Sequence, residues 1–153
     1  MNQPPASHPR SPELERPALD RIRVVLSHTS HPGNIGAAAR AMKTMGVSRL
    51  TLVNPKSFPH DEAIARSAGA DDILANATVC RSLGEALDGC LYAVAVSARH
   101  RNLGPKPMHA REAAPEILNL AADGEVALVF GNETSGLSND EVQRCQRTVF
   151  IPA

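Results

Sequence analysis

Between His28 and Gly46, a polar, glycine-bearing loop runs into a helix that carries an isolated arginine, Arg40. The exposed amides and partial positive charge at the start of a helix suit a phosphate group. Arg40, one turn further on, would add a forked, bidentate donor for that group. Spacing alone nevertheless favours a solvated helix face, on which Arg40 and Lys43 only confer solubility, over an anion site.

A strand and a helix are expected to hold this loop. Residues 22–26 before it are apolar and rich in β-branched side chains, which predicts a strand with the loop at its carboxyl end. Asn34 is a suitable N-cap and Gly46 a suitable stop, which predicts a helix over about residues 35–45. Three- and four-residue spacings predict a buried stripe that leaves Arg40 free: Ile35, Ala38, Ala39, Met42 and Met45.

The rest of the chain alternates between strand and helix signals. Strands are predicted at residues 49–53, 78–80, 91–96 and 126–130, and helices at 61–68, from Ser82, at 111–121 and from Ser138. Ser82 with Glu85, and Ser138 with Glu141, predict capping boxes. Pro115 favours a helix start nearer Ala114, because proline is tolerated only in a first turn. About six β/α units predict an α/β fold, a mostly parallel sheet with helices on both faces.

Length and composition narrow the class of protein. The 153 residues make one domain, and four aromatic side chains require an aliphatic core. Three scattered cysteines fit neither a metal site nor a disulfide framework, which indicates a reducing cytoplasm. The sequence contains no run of about 18 apolar residues, so no membrane span is predicted. Residues 1–20 are proline-rich and are expected to be a disordered leader, which leaves 21–153 as the folded domain.

Charge is divided unevenly along a neutral chain. Residues 1–60 carry eight Lys and Arg against three Asp and Glu, whereas residues 61–153 carry eight against thirteen. Nucleic acid would therefore meet the first half of the chain. Arg99 and Arg101 lie in a later basic loop with two prolines, and RNA contact and simple solvation are equally good readings of that loop.

Two further segments of the sequence belong together. The first runs from Thr29 to Gly46 and is followed by Leu50-Thr51-Leu52-Val53-Asn54-Pro55; the second is the loop Gly131-Asn132-Glu133-Thr134-Ser135-Gly136-Leu137 after a predicted strand. Taken together, they resemble the SpoU (SPOUT) family of RNA ribose methyltransferases. Within that family, the segment Ser97-Ala98-Arg99 resembles the corresponding segment of one bacterial branch. Enzymes of that branch methylate a pyrimidine ribose at the start of the tRNA anticodon loop. The resemblance covers residues 21–153 and implies the SPOUT α/β knot fold.

The resemblance also implies a cofactor, S-adenosylmethionine, and the residues that hold it. Carried over, the cofactor residues are Val96, Ser97, Ala98, Gly131 and Ile151. Arg40 is the implied catalytic arginine, and Asn34 and Glu133 brace the site. Because a guanidinium is a poor base near neutral pH, we expect Arg40 to clamp the adjoining phosphate rather than to accept the proton.

Three further expectations follow from the same resemblance. RNA, specifically tRNA, is the expected substrate, with Arg99, Arg101 and Lys43 as contacts; a homodimer is the expected assembly; no metal is required. The family's third motif begins at a strand such as residues 149–153 and continues into the knot, and since the sequence ends at Ala153 the knot segment is expected to be missing. There are two alternatives: an enzyme of the same family with a different RNA target, and a non-catalytic fragment that binds RNA or cofactor. The P-loop and dinucleotide glycine patterns are both absent, which disfavours nucleotide triphosphate and NAD.

Overall fold

The computed structural model describes residues 18–98 and 107–151. The predicted RNA contacts Arg99 and Arg101, and residues 1–17 of the predicted leader, lie outside this part of the chain. Ala18 was assigned to the leader as well, but it is buried against Ile22 and Val126. The packed domain therefore begins at least three residues before the predicted boundary.

Strands and helices alternate along the chain. The strands are β1 (Ile22–Ser27), β2 (Arg49–Val53), β3 (Thr78–Cys80), β4 (Cys90–Ser97), β5 (Met108–His109), β6 (Glu125–Phe130) and β7 (Arg147–Phe150). The helices are α1 (Pro32–Met45), α2 (Asp61–Ser67), α3 (Asp71–Ala75), α4 (Leu83–Ala86), α5 (Ala110–Ala121) and α6 (Asn139–Gln143). The predicted strands all form, and α3 and the two-residue β5 are additions that the sequence patterns did not predict.

The strands form one sheet in the order β3-β2-β1-β6-β4-β7-β5, and every pair of named neighbours is parallel. Strand β6 lies between β1 and β4, so strands far apart in sequence are central neighbours. The predicted parallel α/β fold is confirmed. In such a sheet the loops that follow the strands all gather at one edge.

Aliphatic side chains cover both faces of the sheet. On one face, α1, α2 and α3 pack over β1 and β2, and α5 packs over β4, β6 and β7. On the other face, α4 and α6 pack on alternate residues of β1, β4 and β6, such as Val25, Ala95 and Val129. The prediction of helices on both faces is therefore confirmed.

The start of α1 differs from the prediction. Proline is well suited to the first position of a helix, so the helix begins at Pro32 and His31 becomes the N-cap residue. Asn34 lies inside the helix, and its predicted capping role is wrong. The predicted stop is confirmed, since Gly46 adopts the left-handed conformation at φ 80°.

Two other local predictions are wrong. Met45 is 70% exposed because it borders an open apolar groove between α1 and strands β1 and β6. Helix α5 begins at Ala110 rather than near Ala114, with Pro115 inside it. Pro115 is exposed, so the carbonyl that loses its helical partner faces water, and the helix tolerates the ring. Both corrections reflect solvent contact that residue spacing does not reveal.

Gly36 allows helix α1 to pack closely against helix α2. A Cβ at Gly36 would lie 2.1 Å from the backbone oxygen of Ala63 in α2, and one at Gly33 would lie 3.1 Å from Glu62 Oε1. Only a residue without a side chain permits this approach at Gly36. The small size of Gly36 therefore serves the packing of α1 against α2.

Candidate functional site

Strands β1 and β6 form the centre of the loop-bearing edge. They pair in register from Ile22 and Val126 to Leu26 and Phe130. After β1 the chain crosses one face of the sheet through α1 to β2, and after β6 it crosses the opposite face through α6 to β7. In open parallel sheets, ligands bind where successive crossovers diverge in this way. The crevice between the loops after β1 and β6 is therefore the candidate site.

Glu133 joins those two loops. Its carboxylate oxygens accept hydrogen bonds from the backbone N–H of Ser30 at 2.9 and 3.0 Å and from that of His31 at 2.7 Å. The side-chain amide of Asn34 donates a further bond at 3.1 Å. Burial by itself would raise the pKa of Glu133, but the two backbone donors and Asn34 outweigh it and lower that pKa. Glu133 is thus a carboxylate that holds the start of α1 against the loop after β6.

Asn132 ties the same loops together from the other side. Its side-chain nitrogen donates to the backbone oxygen of His28 at 2.7 Å and to Ser30 Oγ at 3.0 Å. Its side-chain oxygen accepts from the backbone N–H groups of Thr134 and Ser135, which winds the loop back on itself. An amide can donate on one side and accept on the other, which a carboxylate at this position could not do.

Two glycines make the loop after β6 possible. A Cβ at Gly131 would lie 2.2 Å from the backbone carbon of Gly136, so the two chain segments touch backbone to backbone. Gly136 itself has φ 68°, in the region that favours glycine. Asn132 and Gly136 exchange two backbone hydrogen bonds, at 3.2 and 2.8 Å, that close the turn. The close contact at Gly131 and the positive φ at Gly136 both require glycine.

Ser27, His28 and Glu141 form a second link between β1 and the start of α6. Ser27 is fully buried, its hydroxyl donates to Glu141 Oε2, and it lies 2.9 Å from His28 Nδ1. Burial alone would raise the pKa of Glu141, but bonds from the backbone of Ser138 and from Ser27 lower it overall. The predicted capping box of Ser138 and Glu141 is confirmed.

The implied cofactor residues lie at the carboxyl ends of three adjacent strands. Val96 and Ser97 end β4, Gly131 follows β6, and Ile151 follows β7. The backbone N–H of Ile151 donates to the carbonyl of Ser97 at 3.0 Å, and the Ile151 side chain is 46% exposed. Ala98 continues directly from β4 and is exposed. The structure thus brings these residues to one edge of the sheet. They lie next to Glu133 and its hydrogen-bond partners Ser30, His31 and Asn34, which together are called the Glu133 cluster.

Arg40 stands apart from that cluster. It is exposed and lies six residues beyond Asn34, which is about 9 Å further along the axis of α1. Within residues 18–98 and 107–151, no hydrogen bond or ion pair engages its guanidinium. Lys43, the neighbouring basic residue, is paired with Asp72 at 2.9 Å, and both side chains are largely exposed. The structure therefore joins Asn34 to Glu133 but leaves Arg40 available to a ligand.

Three residues of the site were not predicted. Asn132 belongs to the second segment of the family resemblance, which implied no role for it, and an Asn between two loop glycines is the signal that could have indicated its turn. Ser27 and Glu141 meet across 114 residues, and no pattern in the sequence pairs them. In the part of the chain that the structure describes, no three His, Cys, Asp or Glu side chains are grouped to hold a metal ion, and no helix is long and apolar enough to span a bilayer.

The comparison with protein families agrees with this geometry. The profile of the SpoU rRNA Methylase family matches residues 21–153. The chain belongs to the SpoU methylase family. Its two loops joined by Glu133 are those on which the family resemblance was based, and the match begins at the residue before β1.

Individual relatives place the chain more closely within the SpoU family. Over 136 residues it is 58% identical to tRNA (cytidine/uridine/adenosine-2'-O-)-methyltransferase TrmJ of Pseudomonas aeruginosa, covering 88% of this chain and 53% of that protein. The chain thus spans about half the length of this curated relative. The predicted similarity to the tRNA-modifying branch of the family is confirmed.

Solved structures show the same fold. A probable methyltransferase from Bordetella pertussis Tohama I superposes with a TM-score of 0.84 at 42% identity, over 90% of this chain and 85% of that one. TrmJ from Z. mobilis ZM4 superposes with a TM-score of 0.81 at 32% identity, over 86% and 58%. The SpoU methyltransferase AviRb of Streptomyces viridochromogenes, solved with AdoMet, matches at a TM-score of 0.63 and 22% identity, over 88% and 49%, and shares the fold.

Proposed function

We propose that this chain is the methyltransferase domain of an enzyme that transfers a methyl group from S-adenosylmethionine to a ribose 2′-oxygen of tRNA in the cytoplasm. The proposed target is a pyrimidine nucleotide at the start of the anticodon loop. The observation that carries the proposal is the Glu133 carboxylate, which locks the two family loops together at the β1 and β6 crevice. The names of the relatives support the choice of tRNA and of the 2′-oxygen.

The residues at the ends of β4, β6 and β7 fit the proposed cofactor. Gly131 follows β6 with no side chain to fill the crevice, and the exposed Ile151 and the half-buried Val96 offer apolar side chains near the ends of the neighbouring strands β7 and β4, which suits an adenine ring. Val96, Ser97, Ala98, Gly131 and Ile151 would hold the cofactor. When bound, S-adenosylmethionine supplies an electrophilic methyl group on a sulfonium ion. The AdoMet complex of AviRb, which has the same fold, supports this assignment.

Each polar residue of the site then has a proposed role. Arg40, free of protein partners in the described chain, clamps the phosphate beside the reacting nucleotide and stabilises charge that develops on the 2′-oxygen. The 2′-hydroxyl proton leaves to phosphate or water, because a guanidinium is too weak a base to take it. Asn34 and Glu133 are positioning residues, which fix the start of α1 and hence the direction of Arg40. Lys43, Arg99 and Arg101 are proposed contacts to RNA phosphates.

Labelling with tritiated S-adenosylmethionine tests the proposed function. The chain is incubated with unmodified tRNA and, separately, with unmodified ribosomal RNA, and the P. aeruginosa relative serves as the positive control. Because the chain spans about half of that relative, a chimera in which residues 21–151 replace the matching segment of the relative is assayed beside it. Nuclease mapping should place 2′-O-methyl label on a pyrimidine at the start of the anticodon loop. Label in ribosomal RNA alone would assign another SpoU activity, and cofactor binding without label would indicate a binding role.

We also propose that the domain works as a homodimer. An apolar groove of about 330 Å³ lies between α1 and the ends of β1 and β6. Met45, which lines it, is 70% exposed, so a second copy would remove a large apolar side chain from water. Sedimentation velocity should show a dimer that Met45→Arg converts to a monomer. Ile64→Arg, an equally drastic change at a 52% exposed residue outside the groove, should leave the dimer intact.

A further inference from the structure

A small cavity, whose surface is mainly apolar with a few polar atoms, lies beside the Glu133 cluster and has no part in the function proposed above. Its volume is about 330 Å³, at the small end of the roughly 300–1,000 Å³ typical of ligand pockets. It opens at the loop-bearing edge of the sheet, on the side of α6. Its lining is His28, Asn132, Ser135, Gly136, Ser138 and Glu141. A space of this size suits a single planar ring better than a whole nucleotide.

Hydrogen bonds hold the backbone of His28 on both sides, at its N–H and at its carbonyl. His28 has φ 59°, a conformation that a residue with a side chain rarely adopts. Its backbone N–H donates to the carbonyl of Val53 at 2.8 Å, and its carbonyl accepts from Asn132 Nδ2 at 2.7 Å. Surrounding bonds thus maintain an unfavourable backbone conformation, an arrangement that is concentrated at ligand sites. The ring remains 54% exposed, so it is available to a ligand.

Hydrogen bonds fix which nitrogen of His28 carries the proton. Glu141 is a carboxylate, and it therefore only accepts; the single proton of the Ser27 hydroxyl goes to it. Ser27 Oγ must then accept at its 2.9 Å contact with His28 Nδ1, which places the imidazole proton on Nδ1. In the neutral ring Nε2 is left as a bare acceptor, and it has no partner among residues 18–98 and 107–151.

The chemistry of the lining determines what can bind. Among the described residues that line the cavity, none is Lys or Arg, and three polar groups can accept a hydrogen bond: His28 Nε2, the carboxylate of Glu141 and the hydroxyl oxygen of Ser135. A phosphate is therefore disfavoured. An exocyclic amino group carries two N–H donors and can satisfy two such acceptors, whereas uracil offers one imino N–H. Adenine and cytosine carry an exocyclic amino group on an edge that has no other N–H donor.

We propose that this cavity is a subsite for an unpaired nucleobase of the substrate RNA, one with an exocyclic amino group, which donates to His28 Nε2. The subsite rests on the proposed function, because it requires an RNA at the β1 and β6 crevice. It adds a determinant of sequence preference that lies outside the positions proposed for the cofactor and the reacting ribose. Single-stranded bases are usually read in this way, splayed from the stack and bonded along their edges.

Fluorescence anisotropy with paired RNAs tests the subsite. The probes are a short fluorescein-labelled oligoadenylate and the same oligomer made with purine riboside, which lacks only the 6-amino group. The chain should bind oligoadenylate about threefold to tenfold more tightly, the range of one net hydrogen bond. His28→Gly should reduce this preference to less than about twofold. Glycine tolerates φ 59°, so the variant removes the ring without adding strain.

The matched control is His60→Asn. His60 also accepts a backbone hydrogen bond at a helix start, Asn is an equivalent cap, and His60 does not line the cavity. The control should keep the full preference for oligoadenylate. A long-range ¹H–¹⁵N correlation spectrum provides a second readout and should show His28 as the Nδ1–H tautomer. The Nε2–H tautomer would overturn the proposal.

The remaining outcomes separate this inference from the proposed function. If the chain binds unmodified tRNA but does not distinguish the two oligomers, or if His28→Gly keeps the preference, the subsite is rejected and the proposed function stands. If the chain and its chimera bind neither the oligomers nor tRNA, the proposed function fails and the subsite fails with it.

Discussion

The carboxylate of Glu133 lies 2.7 Å from the backbone nitrogen of His31, the residue that caps helix α1. An anion thus occupies a place where a helix start would otherwise attract a ligand anion. The sequence suggested that a phosphate would bind at these amides, but the protein's own carboxylate takes two of them. The anion that the site receives must therefore lie elsewhere, and the exposed Arg40 is the candidate to meet it.

Replacing Glu133 by glutamine should abolish most activity without unfolding the chain. The amide retains one acceptor oxygen, but it loses the charge and turns an N–H₂ group toward backbone donors. A resulting displacement of α1 by about 1 Å is expected to reduce kcat/KM on the order of 100-fold. Methyl transfer to tRNA measures the effect, with Glu112→Gln, an exposed carboxylate on α5, as the control. Activity of Glu133→Gln within about twofold of the parent would contradict the positioning role.

The Glu133 link should weaken in acid. Hydrogen bonds lower the pKa of Glu133 in the folded state below its ordinary value of 4.5. The link therefore contributes stability that is complete above that value and disappears as the pH falls through the folded pKa. The difference in Tm between the parent and Glu133→Gln should shrink between about pH 6 and pH 3. A difference that stays constant over this interval would show that Glu133 does not titrate as argued.

Gly131→Ala should disrupt the loop after β6. Its Cβ would lie 2.2 Å from the backbone carbon of Gly136, and backbone cannot move aside as a side-chain tip can. We expect a loss of about 1–3 kcal/mol in the free energy of unfolding, together with loss of cofactor binding. Gly84→Ala is the matched control, since its Cβ would meet Arg144 Nη1 at 3.5 Å and Ser82 Oγ at 3.9 Å, both ordinary contact distances. Urea unfolding and calorimetric titration measure the two effects, and equal stability of both variants would refute the close contact.

Arg40→Lys should preserve RNA binding and lose most turnover. Lysine keeps the positive charge but not the planar fork that can grip a phosphate and a developing oxyanion together. Arg40→Ala should lose both binding and turnover. The measurements are tRNA affinity by filter binding and kcat by methyl transfer, and neither variant should change Tm, because Arg40 is exposed. Full activity of Arg40→Lys would exclude the clamp.

The Lys43 and Asp72 pair should oppose RNA binding. Because Asp72 holds the Lys43 ammonium at 2.9 Å, Asp72→Asn frees that charge and should strengthen tRNA binding at low salt. Lys43→Ala should weaken binding and reduce the salt slope by about one unit. Filter binding across a salt series measures both. The absence of any effect from either change would remove Lys43 from the RNA surface.

Local patterns predicted the strands well and the buried faces of helices less well. Strands 49–53 and 78–80 match β2 and β3 residue for residue, because short β-branched runs between turn signals have few alternatives. Met45 and Asn34 were misjudged because their surroundings depend on distant elements. Met45 borders an open groove beside β1, and Asn34 is free for Glu133 because Pro32 starts the helix earlier.

The candidate site was predicted in part for the same reason. Asn34 and Glu133 were expected to brace it, and they are in contact at 3.1 Å. The Ser27 and Glu141 contact was not foreseen, because it joins residues on β1 and α6 that come together only through the insertion of β6. Spacing along a chain reports what one element does, whereas such pairs require the order of strands in the sheet.

The insertion of β6 between β1 and β4 also affects how the protein is made. During synthesis β1 leaves the ribosome about a hundred residues before the strand that completes its second edge. Until then its unsatisfied amides and carbonyls are open to pairing with another chain. The contacts between the loops after β1 and β6 form only when β6 is added. Until then a nascent chain has neither a protected central strand nor a complete site. The elongating protein is thus expected to be a client of chaperones up to the moment its second motif emerges.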